Sequence, residues 1–435
     1  MQQAILTVDL GFGDAGKGSI VDFLTRQRDA HTVVRYNGGA QAAHRVVTPD
    51  GREHVFAQFG SGTLAGAATH LSRFMLIDPL AMLAEAAHLH ALGVDALERT
   101  TIDERALIIT PFQRAANRLK ELGRGAGRHG SCGMGVGETM ADFLAHGERV
   151  LFAGDLVKPH ALRAKLAFLQ TINQAKIAAL CDLLPDTEPV ARELDMLHDD
   201  DHGWLLDACA ILTQQAEIVR GGYLHTLLAR PGTVIFEGAQ GVLLDEWRGF
   251  HPYTTWSTTT LANAEQLLYE AGYTNAITRL GITRAYATRH GAGPFVTEDA
   301  GLTAALPDAR NGAGAWQGGF RVGWPDLVML RYALDVTGPL DALAVTCVDR
   351  LAELVAVQIC TAYQDESHLI KRIDPSPEPH MLAYQEQLTA MLLRCQPVLE
   401  TLSGTAALLK RLAAELGVPI GIISEGPTAA EKRHM

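Results

Sequence analysis

Residues 4–21 read AILTVDLGFGDAGKGSIV: an apolar, partly β-branched run, a loop carrying four glycines, and the start of an amphipathic helix. A strand that feeds a glycine loop and then a helix makes a cradle for phosphate. Gly11, Gly13, Gly16 and Gly18 let the backbone turn tightly and approach a polyanion, while Lys17 and the helix N-terminus supply positive potential. Asp14 does not fit as a phosphate ligand. A carboxylate among phosphates needs Mg²⁺ beside it or a proton to take from a substrate, so it points to chemistry as well as binding. The spacing Gly11-x4-Gly16-Lys17 matches the front of a P-loop, but Gly18 stands where that motif carries Ser or Thr for magnesium. By itself the loop fits either a nucleotide site or a glycine-rich turn.

Outward from this loop, short β-branched runs alternate with longer helical patterns, which predicts an α/β fold with a mainly parallel central sheet flanked by helices. The strand candidates are Thr32–Arg35, Phe74–Ile77, Ala106–Thr110, Thr233–Phe236, Ile277–Ile282, Ala342–Val348 and Pro419–Ile423. Pro79 suits the first turn of a helix that Gly93 ends. The stretch 157–228 reads as largely helical, an inserted helical subdomain within one unit spanning 1–435. The sequence carries no internal repeat, low-complexity tract or linker long enough to separate two domains.

The chain has 435 residues, 47% hydrophobic and 20% charged, with a net charge of −12. That acidity argues against a general nucleic-acid binder, which needs clustered cations to release phosphate counterions. No stretch approaches the roughly 18 consecutive apolar residues of a membrane span, and the N-terminal run leads straight into the loop without a signal-peptide pattern. The expectation is a cytoplasmic protein that engages neither nucleic acid nor membrane. Cys132, Cys181, Cys209, Cys347, Cys360 and Cys395 form no C-x-x-C pair, so neither a zinc knuckle nor a disulfide framework is indicated.

Further glycine-rich or polar loops follow predicted strands, where an open α/β sheet gathers ligand-binding groups. Together GDAGKGSIVD at 13–22, VVRYNGGAQAAH at 33–44, FEGAQGVLLD at 236–245, HPYTTWSTTT at 251–260, TRHGAGPF at 288–295, GWPD at 323–326 and IISEGP at 422–427 resemble, in order and over almost the whole length, the adenylosuccinate synthetase family. The resemblance implies a P-loop-like GTP-binding architecture and a GTP- and Mg²⁺-dependent ligase joining the aspartate amino group to carbon 6 of inosine monophosphate (IMP). A lactam oxygen is a poor leaving group. The family therefore moves the GTP γ-phosphoryl onto it and displaces phosphate with the amine.

On that resemblance Asp14 matches the base that removes the N1 proton and also lies near Mg²⁺, with Ala43 at the position whose carbonyl helps hold the ion. His44 matches the group that meets the transferring phosphoryl, and Lys17 neutralises phosphate charge. Gly13, Gly16, Lys17 and Gly18 fall to GTP, with Asp349, Ser424 and Gly426 around its base. A carboxylate at 349 can accept from guanine N1–H and N2–H₂, a pattern adenine cannot offer. Gln41, Ser131, Cys132, Gln240 and Thr255 fall to the purine monophosphate, and Arg149 to its phosphate across a homodimer interface. Residue by residue, the bland readings are a solvated loop acid for Asp14 and a capping or core histidine for His44.

The chain also departs from the family pattern. Gln41 replaces an asparagine, Ser131 and Cys132 a pair of threonines, Ala43 a glycine and Cys347 a lysine. The largest departure is GAWQGGFRVGW at 314–324, where the family carries threonines and a run of arginines that clamp the carboxylates of aspartate. Trp316 stands at a threonine position and only Arg321 of the arginine run remains. Losing a bidentate Arg–carboxylate pair costs on the order of 2–5 kcal/mol unless another group replaces it. Arg45, Arg248 and Arg289 are candidate replacements. Three readings follow: the family ligase; a paralogue acting on another purine nucleotide or another amine in nucleotide or nucleoside modification; and a non-catalytic GTP-binding regulator. Asp14, Lys17 and His44 together argue against the last. The run His198-Asp-Asp-Asp-His202 has metal-ligand residue types but no apolar shell around it, and reads as a solvated loop.

Overall fold

The computed structural model describes residues 2–435 apart from 128–129, 309–317, 353 and 355. A ten-stranded sheet runs from one edge to the other in the order Glu217–Val219, Thr100–Asp103, Ala68–Leu71, β2 (Thr32–Arg35), Gly232–Glu237, β1 (Gln2–Asp9), Ala276–Arg284, Ala342–Thr346, Ile420–Ser424 and Lys432–His434. Every neighbouring pair is parallel except the last. This is the α/β architecture the alternating pattern predicts.

Alternation along β1 explains how the sheet is buried on both faces. Ala4, Leu6 and Val8 point into one cluster with Val34, Phe236, Leu343 and Tyr332. Ile5 points the other way, with Ile20 and Leu24 of α1 (Lys17–Arg28), Val33, Ile235 and Ile422. A third cluster, centred on Phe112, Leu119, Leu166 and Leu212, packs helices around Pro111–Gly123. In the 157–228 stretch, helices Pro159–Ala178, Glu188–His198, Gly203–Gln215 and Tyr223–Leu228 are interrupted by Glu217–Val219, the edge strand of the main sheet. The Pro79 helix runs to Ala91, capped by the Asp78 carboxylate on the Leu80 and Ala81 amides.

Two strand expectations need correction. Of Phe74–Ile77 and Ala106–Thr110, only Leu76–Ile77 and Leu107–Ile108 are extended, and they pair with each other outside the main sheet. The sheet itself takes ATHL at 68–71, TTID at 100–103 and EIV at 217–219. Thr69, His70, Thr100 and Asp103 are polar but buried, so the apolar-run criterion chose the residues beside these strands.

Because the central strands are parallel, their carboxyl ends lie along one rim. Asp9, Arg35, Glu237, Arg284, Thr346 and Ser424 end six of them. The loops that follow form the site.

Candidate active site

The glycine loop leaves β1 at Asp9 and enters α1 at Lys17, with Gly16 left-handed at φ 86° as the N-cap. Asp14 is also left-handed, at φ 59°. Its carbonyl accepts from Arg284 Nε, and the Ala15 carbonyl accepts from Thr346 Oγ1 at 2.8 Å. The Asp14 carboxylate is half-buried, and among the described residues no donor binds it. Gly18 has a steric reason: a Cβ there would fall 2.9 Å from the carbonyl carbon and the Cβ of His44. The hydroxyl of a P-loop has no room at this position. The missing Ser or Thr therefore reflects the close packing of α1 on the His44 strand.

His44 opens the His44–Val47 strand of a hairpin and is 7% exposed. Its Nδ1 lies 2.6 Å from Oε1 of Glu237, the last residue of its strand. Glu237 is fully buried and also accepts from the Ser61 amide at 2.9 Å and from the Ser61 hydroxyl. Burial works to raise the Glu237 pKa, but the Arg35 guanidinium, His44 and Ser61 outweigh it and hold the carboxyl at about 2. Burial lowers the His44 pKa, against the pull of Glu237. The pair is thus a carboxylate accepting from a neutral imidazole, and Nε2 is left for a ligand. Sequence reasoning quoted the segment of Glu237 without giving it a role. The only available signal was an acid at a strand's carboxyl end.

A wall of amides flanks this pair. Asn37 Nδ2 donates to the Ala239 carbonyl at 3.1 Å and its Oδ1 accepts from the Ala239 amide at 2.7 Å, stitching the 37–44 loop to the 238–241 loop. Gly241 is forced, since a Cβ would lie 2.2 Å from the Gly11 carbonyl oxygen. Gln240 is left-handed at φ 57° and stands against both Gly13 and Gly38. Its Oε1 is buried without a hydrogen bond, as are Oε1 and Nε2 of Gln41. Buried polar atoms are nearly always partnered, so three orphaned amide atoms around one loop mark a ligand position. Of the other acceptor-side residues, Thr255 is half-buried and Ser131 Oγ is engaged by Asn117 Nδ2 at 3.1 Å. Burial raises the Cys132 thiol, leaving it neutral and a weak donor. Trp256 reaches the start of the Val136–His146 helix, within 3.4 Å of a Cβ at Gly137.

Beyond Arg284 the rim continues to Asp349, which is exposed in the short helix Val348–Leu351, after a left-handed Cys347 at φ 56°. Ser424 ends the neighbouring strand, and its Oγ donates to the Gly426 carbonyl at 3.1 Å. A group the sequence did not single out holds that loop: Lys432 Nζ donates to the carbonyls of Gly426, Pro427 and Thr428 at 3.3, 3.4 and 2.8 Å. Burial pushes its pKa down to about 8.

The remaining candidates lie elsewhere or are engaged. Arg149 is exposed, its guanidinium 3.9 Å from the centre of the Phe168 ring. Trp316 lies outside the described residues. Arg321 sits in an antiparallel pair of Ala287–His290 with Phe320–Gly323 and is bound to Glu298 at 2.6 Å and to the carbonyls of Gly291 and Gly293 at 2.6 and 3.1 Å. Arg45 pairs with Glu53, Arg248 donates to the Ser376 carbonyl, and Arg289, 1% exposed, donates to the carbonyls of Ala292 and Pro294. In the polar run, His198 binds the Leu194 carbonyl and His202 binds Gln170.

Among the described residues no three His, Cys, Asp or Glu side chains converge as a metal cage. One free carboxylate, Asp14, beside a phosphate cradle nevertheless fits Mg²⁺, which commonly takes one or two carboxylates and completes its shell with substrate phosphates and water. Ala43 is exposed, one residue before His44. No helix among the described residues is long and apolar enough to cross a membrane.

Comparison with known proteins gives the family. The family model for adenylosuccinate synthetase matches residues 6–432. The adenylosuccinate synthetase of Azotobacter vinelandii is 32% identical over 441 residues, covering 99% of this chain and 98% of that protein. That of a Synechococcus species is 32% identical over 97% of this chain and 92% of its own length. Among solved structures, the fully ligated adenylosuccinate synthetase of Plasmodium falciparum superposes with a TM-score of 0.78 at 21% identity, covering 99% of both chains. The succinoaminodeoxyadenylate synthetase of cyanophage S-2L, bound to dGMP and to dATP as energy donor, superposes at 0.62 with 16% identity, over 100% of this chain and 95% of that one. The chain therefore belongs to the adenylosuccinate synthetase family, as a divergent, GTP-dependent ligase of that type.

Proposed function

We propose that the chain phosphorylates the 6-oxygen of a purine monophosphate, IMP in the first instance, and displaces that phosphate with the amino group of aspartate. Adenylosuccinate is the product. The observation that carries this reading is one rim holding a free Asp14 carboxylate on a phosphate loop, a neutral His44 backed by ionised Glu237, and the unpartnered amides of Gln41 and Gln240.

Asp14 takes the N1 proton, so that negative charge builds on O6 and the oxygen can attack phosphorus. Lys17 and the α1 N-terminus oppose the charge of the phosphates. His44 Nε2 faces the transferring phosphoryl. As that group gathers charge the imidazole takes up a proton from solvent, and Glu237 offsets the resulting cation at Nδ1. Asp14 would hold Mg²⁺ with the phosphate oxygens, and the ion would supply charge neutralisation during transfer. The amine then attacks C6, phosphate leaves in place of an oxide, and the departing phosphate takes the proton that the new C–N bond releases from nitrogen. Guanine specificity rests on Asp349 with Ser424 and Gly426, in the loop fixed by Lys432. We place this work in the cytoplasm and in a homodimer, with Arg149 reaching the partner's acceptor phosphate.

A second reading has an observation of its own. Arg321 is tied to Glu298 and to two carbonyls, so the remaining arginine of the donor segment has its fork occupied. This favours a paralogue whose amine donor or purine acceptor differs from the aspartate and IMP pair. One experiment separates the readings: phosphate release from GTP and Mg²⁺ with purine monophosphates paired against aspartate, other amino acids and ammonia, with mass spectrometry of the nucleotide. Adenylosuccinate from IMP and aspartate supports the first reading. A different productive pair supports the second, and GTP binding without turnover for any pair refutes both.

A further inference from the structure

The carboxylate that ends β1 is built into the phosphate loop and has no place in the chemistry above. Asp9 is 1% exposed, and the hydrogen bonds its carboxylate accepts all come from the loop and the start of α1. Oδ1 accepts from the Gly11 amide at 2.8 Å; Oδ2 accepts from the Ala15 amide at 3.0 Å and from Lys17 Nζ at 2.7 Å. Lys17 is itself 3% exposed. The loop is therefore strung around one carboxylate, anchored at its first residue, at its last turn and at the first side chain of α1.

Three consequences follow. The amides of Gly11 and Ala15 face inward, so the amides that can meet phosphate come from the rest of the loop and the start of α1. Lys17 has three N–H donors and spends one on Asp9, which fixes the direction of the other two. The ammonium is also paired from below, so Asp9 offsets part of the charge that Lys17 presents to a phosphate. The loop then attracts a polyanion by oriented amides and by the direction of one ammonium. A buried lysine without its partner would be costly and would turn away to water.

We infer that Asp9 is a positioning residue for the nucleoside triphosphate, acting through Lys17. The inference rests on the proposed use of this loop for GTP. It separates Asp9 from a general structural acid, because its effect is confined to the triphosphate and disappears when Lys17 is absent.

The test is a double-mutant cycle with D9N and K17M, reading GTP affinity by displacement of a fluorescent analogue alongside KM for GTP and for the purine monophosphate. In Asp9→Asn the side-chain oxygen can still accept from Gly11, but its NH₂ meets Lys17 donor to donor. The expected result is GTP binding weakened about tenfold, KM for the monophosphate unchanged within about twofold, and less than about twofold further loss when D9N is added to K17M. Equal loss for both substrates, or the full loss in the K17M background, overturns the inference. If D9N alone does not fold, the D9N/K17M variant, which carries no unpaired ammonium, is compared with K17M under the same criterion. A wild-type chain that binds no GTP refutes the reading of the site and this inference with it. Binding without coupling refutes the role of Asp9 alone.

Discussion

The phosphate rim and the strand pair of Ala287–His290 with Phe320–Gly323 use charge in opposite ways. On the rim, buried ions are paired so that one functional atom of each group stays available: Asp9 holds Lys17 by one of its three protons, and Glu237 holds His44 by Nδ1 and leaves Nε2. In the strand pair, Arg321 and Arg289 are consumed by Glu298 and by backbone carbonyls. Burial and the charge of Arg321 even push Arg289 down to about 9. The first arrangement suits the phosphoryl transfer proposed above. In the second, both guanidinium groups are already engaged within the fold.

The largest effect tests the phosphate rim. Asp14→Asn removes the base while leaving the loop's steric shape, and should lower kcat about 10³-fold with GTP affinity within a few-fold. Retention of more than a tenth of the activity would show that N1 is deprotonated elsewhere. His44→Asn should cost about 10²-fold in kcat by losing the protonated partner of the phosphoryl group.

Gly18→Ser sharpens the contrast with a P-loop. If the missing hydroxyl were the defect, serine would restore function. If close packing on His44 decides, as the 2.9 Å approach indicates, serine should lower stability by about 1–3 kcal/mol and reduce activity. Thermal denaturation with and without GTP reads the outcome.

Acid stability tests the buried pair. The folded-state pKa of Glu237 is depressed from 4.5 to about 2, so its stabilisation is present above about pH 4.5 and is lost as pH falls toward 2. His44 is also depressed from 6.5 and acts in the same direction: below pH 6.5 the unfolded chain takes up the proton first, and stability falls. Urea titrations from pH 7 to 3 should show a decline beginning near 6.5, and Glu237→Gln should flatten its lower part. The smallest effect is expected in the strand pair. Arg321→Ala should change KM for the amine donor by less than about threefold, whereas a hundredfold rise would restore Arg321 as a carboxylate clamp.

The sequence exposed what repeats a local pattern. The central strands, the glycine loop and the Pro79 helix each announce themselves over a few neighbouring residues. Asp9 lay inside the most informative stretch and still escaped notice, because its meaning depends on which atoms turn inward to meet it. Glu237 is the same case, since it acts on His44 and Ser61 from a distant part of the chain, whereas Lys432 is local but needs the chain to fold back before its ammonium meets the 426–428 carbonyls. The outer strands ATHL and TTID were missed because their polar residues, buried in the fold, do not read as an apolar run. Arg321 was legible as a surviving arginine, but its pairing with Glu298 was not.

The most direct test of the central claim is the fate of the 6-oxygen. Purine monophosphate labelled with ¹⁸O at position 6 should, on turnover with GTP, Mg²⁺ and the productive amine, deliver its label to inorganic phosphate, one ¹⁸O per product formed. Unlabelled phosphate, with the label in water or still on the purine, would contradict phosphorylation of that oxygen and the role assigned to this site.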